Sequence, residues 1–196
     1  MKKWFACHIL FLTSSFFGTL LLLQIHLLSF GQTQKETQDW LKQKIESYGT
    51  SSNKTTNGAA VMTTTNTIDE FNFIGNDIII HETELIVSTA GEVFCKIIRK
   101  YNSKLATAKI ASIKIEANGI TIKTVGNQIT VETKIVEKIC SSEQANHVLS
   151  ALTDSNNKQS SYFIGIDFSK EDNLSDRMQK AATRLLSFFP KQKEAF

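Results

Sequence analysis

From residue 68 onward, apolar side chains recur at every second position, and that period confines most of the chain to β-structure. Ile113, Ile115 and Ala117 alternate with Lys114 and Glu116; Ile129 and Val131 alternate with Thr130 and Glu132; Tyr162, Ile164, Ile166 and Phe168 alternate with Gly165 and Asp167. One apolar and one polar face describe antiparallel strands that cover a single core. Residues 68–74, 77–87, 92–101, 109–117, 119–125, 128–139 and 162–168 carry the pattern, which predicts about seven strands. Asn76-Asp77, Asn118-Gly119 and Gly126-Asn127 supply turn chemistry between them.

Helical spacing frames this region. Leu41, Ile45 and Tyr48, with Trp40 beside them, predict a packing helix over 38–48 that stops at Gly49. A second helix closes the chain: Asn173 or Ser175 caps it, and Met178, Ala181, Ala182, Leu185, Leu186 and Phe189 form its apolar stripe. Pro190 ends it. Ser141 and Gln144, at capping-box spacing, open a further helix over 141–152, followed by a polar loop over 154–161. Residues 50–67 are almost wholly Thr, Ser, Asn, Gly and Ala without periodicity, which predicts a flexible polar linker.

The first 31 residues have the three-part layout of a secretory signal: Lys2 and Lys3, an apolar run over 4–30, and Ser29 and Gly31 before a cut at Gln32. The run is also long enough to span a bilayer. His8, Gln24 and His26 interrupt it, so a cleaved signal is preferred over an anchor. Both readings export the body of the protein, to the periplasm or the extracellular space. Removing residues 1–31 leaves 20 cations against 19 anions, a balance of +1. A near-neutral body lacks the clustered cationic charge that nucleic acid demands.

Little in the body points to catalysis. Cys95 and Cys140 form an even pair, and a disulfide and two buried thiols fit the pattern equally. His81 and His147 are the only histidines after the leader, and no zinc-ligand spacing occurs, so neither metal nor cofactor is expected. There is no Gly-x-Ser-x-Gly elbow, phosphate loop or dinucleotide fingerprint. Asp69/Glu70 and Glu82/Glu84 resemble paired glycosidase carboxylates, but strand spacing makes them solvent-facing. Asn53-Lys54-Thr55 and Asn173-Leu174-Ser175 match the glycosylation sequon, which matters only in a host that glycosylates secreted proteins. Charge is segregated: Asp69, Glu70, Asp77, Glu82, Glu84 and Glu92 precede Lys96, Arg99, Lys100, Lys104, Lys109 and Lys114. The simplest account is neighbouring strands with complementary charges.

Short antiparallel strands followed by one amphipathic helix, over 68–189, resemble the pleckstrin-homology-like superfold, a bent sheet or partly open barrel capped by a C-terminal helix. Asp39-Trp40-Leu41 and the run Arg177-Met178-Gln179-Lys180-Ala181-Ala182-Thr183-Arg184-Leu185 are similar to segments of uncharacterised secreted bacterial proteins. The resemblance implies a binding scaffold whose partner is a peptide, a protein or a lipid. Phosphoinositide-binding members use basic residues on the first hairpin, and 68–87 has none; the segment 141–161 is a second departure. The expectation is an α+β, exported, non-catalytic binding or envelope-associated module. The alternative is a secreted hydrolase assembled from separated residues, with His147 and a carboxylate.

Overall fold

The computed structural model describes residues 33–142 and 153–189. The leader, most of the helix expected over 141–152, and Pro190 lie outside them. The chain divides into two compact units after Glu36. Of the first, residues 33–36 are described, and they form a capping box. The Thr33 hydroxyl accepts the Glu36 N–H at 3.2 Å while the Glu36 carboxylate accepts the Thr33 N–H at 2.6 Å. That box starts α1 (Gln34–Tyr48) one turn earlier than the apolar spacing announces.

The second unit is α+β. Nine strands follow α1: β1 (Thr50–Asn57), β2 (Ala60–Ile74), β3 (Asp77–Ala90), β4 (Val93–Ala106), β5 (Ile110–Glu116), β6 (Gly119–Thr124), β7 (Ile129–Cys140), β8 (Ser155–Gln159) and β9 (Ser161–Gly165). Helix α2 (Leu174–Phe188) ends the described chain. A six-stranded sheet runs β1-β2-β3-β4-β7-β8 and a three-stranded sheet runs β5-β6-β9, all pairs antiparallel, with no closed barrel among the described residues. All seven segments that alternate contain strands, although the last strand ends at Gly165 and Phe168 begins a short 3-10 turn.

Two expectations are corrected. Residues 50–67 are not a linker: Thr50 to Asn57 pair residue by residue with Thr67 back to Ala60, so β1 and the first half of β2 form a hairpin. Residues 154–161 are not only a loop, because β8 pairs with β7 from Ile129↔Gln159 to Thr133↔Ser155. Both are edge strands with mostly exposed side chains, held by backbone bonds, so they carry no apolar period.

The core lies between the two sheets and is closed by both helices. Leu41 and Ile45 of α1 belong to one cluster with Phe71, Ile78, Ile80, Leu105 and Ile129 of the large sheet and Ile120, Ile122 and Ile164 of the small one. Leu174, Met178, Ala182 and Leu185 of α2 are buried in the same cluster. Asn173 stands at the N-cap of α2 in the left-handed region (φ 55°), but its side chain makes no cap bond. The strands of the large sheet outrun this core. Ile86, Cys95 and Ile97 are buried near its far end without belonging to the main cluster, and Cys95 is bonded to Cys140 directly across β4 and β7.

Candidate functional site

Alternation along β3 decides which groups face where. Ile78, Ile80, Glu84 and Ile86 are buried in phase, so Glu82, between them, shares the inward face, while Ile79, His81 and Thr83 point outward. Two of the four acids expected to face solvent, Glu82 and Glu84, therefore lie on the core side. The signal was present in the sequence, because Glu82 and Glu84 continue the phase set by Ile78 and Ile80.

Each inward acid has a phenol donor. Tyr162 of β9 donates to Glu82 Oε2 at 2.7 Å, tying the small sheet to the large one. Tyr101 donates to Glu84 Oε2 at 2.7 Å, and the Arg99 guanidinium binds the same oxygen from its register position directly opposite Glu84. Burial holds the Glu82 carboxyl above the usual carboxylate range, against the lowering effect of the Tyr162 hydrogen bond. Burial, reinforced by the neighbouring acids, also raises both phenols, so they remain donors at neutral pH.

On the outward face, residues from five adjacent strands stand opposite one another: Glu70, His81, Asn102, Glu132 and Asn156. Glu70 and His81 interact directly, Oε2 to Nδ1 at 3.0 Å, and Asn72 donates to the other Glu70 oxygen. Around this row lies an open depression of about 460 Å³, lined by the outward-facing Asp69, Glu70, His81, Lys100, Asn102, Glu132, Lys134 and Val136 and bordered by Glu82 and Tyr101, whose side chains turn to the core. Thr83 donates to Asp69 at 2.5 Å, and Lys134 pairs with Glu132 at 3.3 Å. The depression thus offers both signs of charge and, in Val136, an apolar rim that is 53% exposed.

Two bulges shape it. The β2–β3 register slips between Ile68 and Glu70, leaving Asp69 unpaired, and the β4–β7 register slips beside Arg99, leaving Val136 unpaired. A bulge bends its strand and frees a ladder group. A carboxylate accepts a backbone N–H close to each slip: Glu46 of α1 takes the Phe71 N–H, and Asp154 takes the Ile135 N–H, both at 2.9 Å. Both bulged residues line the depression.

The remaining candidates fall elsewhere. Cys95 and Cys140 share none of the depression's lining, and His147 lies outside the described residues. The segregated charges resolve into cross-strand pairs, Arg99–Glu84 and Lys104–Asp77 at 2.8 Å, while Lys96 pairs with Glu137 of β7 at 3.0 Å. Among the described residues no cluster of potential ligands could hold a metal ion, and no helix is long and apolar enough to cross a membrane. No protein family, curated protein or solved structure matches this chain.

Proposed function

We propose that this chain is an exported, non-catalytic binding module, PH-like in architecture, whose ligand seats in the depression on the outward face of the large sheet. The observation that carries the reading is how the lining acids are engaged. Glu70 accepts from His81 and Asn72, Asp69 accepts from Thr83, and Glu132 pairs with Lys134, which suits a pre-formed recognition surface better than a free general base. Ile139, on the same side and 54% exposed, extends the apolar rim toward the far end of the sheet. A sheet closed at one end by α2 supports the PH-like comparison. A disulfide across β4 and β7 supports an oxidising compartment, and the leader pattern supports export.

Native mass spectrometry of the full-length product, isolated from its host's envelope or medium without reductant, tests this. A retained ligand is expected, lost in Asn102→Arg and Val136→Arg and kept in Val125→Arg, a control on an exposed site outside the depression. Absence of any retained mass, or retention in both depression variants, overturns the seat. A hydrolytic turnover abolished by Glu82→Gln would instead favour the enzyme reading, for which the raised Glu82 is the one specific support.

A further inference from the structure

Apart from the core they share, the two sheets come close where the end of β9 meets the start of β1. At Gly165, an added Cβ would lie 2.4 Å from the Ser51 Cβ, so β9 touches β1 only because that residue lacks a side chain. From this apex β1 runs away toward Asn57 while β9 arrives from Ser161, and the strands are not paired with each other. Beside the apex is a cleft of about 670 Å³, walled by Ser52, Asn53, Thr64 and Asn66 on one side and by Asn118 and Phe163 on the other. It shares no residue with the depression.

The ladder phases show what the cleft offers. Ile68 donates to the Gly49 carbonyl, so Ser51↔Asn66 and Asn53↔Thr64 are hydrogen-bonded pairs. Thr50, Ser52, Lys54 and Thr56 therefore turn their backbone groups away from β2. In β9, the bonds Thr124 N–H to Ser160 and Ile166 N–H to Asn118 put the even residues toward β6, leaving the backbone groups of Ser161, Phe163 and Gly165 facing outward. Two strand edges with no partner among the described residues thus border one space. Asn66 Oδ1 is buried there with no hydrogen-bond partner among the described residues, and Phe163 remains 47% exposed.

We infer that the cleft between β1 and β9 takes an extended segment of a partner polypeptide as an added strand, bonded to both edges. The cleft lining carries hydroxyl, amide and apolar side chains and no charge, so the inserted stretch is uncharged and β-prone, with one apolar side chain against Phe163 and Ile166. Lys54, the one cation of β1, stands just beyond the lining and selects an acidic residue at that end of the segment. The same lysine disfavours pairing between two copies of β1, because a charged edge opposes its like.

The probe is a phage-displayed library of random octapeptides selected on the full-length chain. Enriched sequences should alternate β-branched and polar residues and end in Asp or Glu. Adding an enriched peptide should slow hydrogen exchange at the Ser52, Lys54 and Phe163 amides. Ser52→Pro and Phe163→Pro remove outward N–H groups that the fold does not use, so each should weaken binding roughly tenfold while the melting temperature holds. If either variant fails to fold, the exchange pattern of the native chain decides alone. No enriched sequence, slowed exchange only around the depression, the same protection arising from dimerisation without peptide, or displacement of the peptide by neutral oligosaccharides would each overturn the inference.

Discussion

Replacing both Cys95 and Cys140 by alanine tests how the far end of the large sheet is held. The bond joins positions 45 residues apart, and the intervening chain includes β5, β6 and most of β7. Freeing a denatured chain from a closed loop of that length lowers stability by about 4 kcal/mol in the chain-entropy treatment. That is a large share of the roughly 5–15 kcal/mol available to a domain, and it corresponds to a fall in melting temperature of roughly 8–16 °C at this size. Cys95 is 3% exposed, so the lost sulfur also leaves a small void and deepens the effect. Urea unfolding under non-reducing conditions, followed by circular dichroism, measures both the free energy and its slope. The slope should rise in the variant, because an uncrosslinked denatured chain exposes more surface. A loss below about 1 kcal/mol with an unchanged slope would refute the unfolded-state reasoning.

Three further outcomes are expected. Leu185→Ala, at a position 2% exposed on the inward face of α2, should lower unfolding stability by about 2–5 kcal/mol; a value within error of the native chain would mean that α2 does not close the core. Glu82 titrates above its ordinary 4.5 in the folded protein, so the native state holds its proton to higher pH than the unfolded chain, and stability falls as pH rises through that window. Glu82→Gln should flatten this decline, and an unchanged pH profile would show that burial there is not felt. Glu171 is the opposite case: the hydrogen bond from Lys44, then that from Arg177, holds it below its ordinary 4.5, so its contribution is present near neutrality and is lost as the solution is acidified. Melting curves of Glu171→Gln should show weaker acid sensitivity than the native chain, and equal sensitivity would count against the triad.

Burial determined how much of this was legible in the sequence. Where one face of a strand enters the core, as in 113–117 or 129–131, side chains record it and the element is plain. In β1 and β8 neither face is covered, the stabilising groups are peptide units, and Thr-Ser-Ser-Asn-Lys-Thr-Thr-Asn looks like a tether. The resulting hairpin also removes the linker that separated α1 from the sheet domain, consistent with Leu41 and Ile45 lying in the common core. The depression was harder to see. Its members come from β2, β3, β4 and β7, and two register slips bring Asp69 and Val136 to it. No local pattern encodes a slip. The acids that accept nearby N–H groups, Glu46 and Asp154, lie 25 and 19 residues from their partners.

The belt of Glu82, Glu84, Arg99 and Tyr101 divides the long strands into two regions with unequal resistance to opening. On one side, apolar contacts with both helices and the small sheet must all be broken together. On the other, Ile86 and Ile97 stand apart from that cluster, and the covalent clasp fastens the neighbouring strands. Opening of the far end should therefore be separable from opening of the main body, its backbone amides exchanging first once the clasp is reduced.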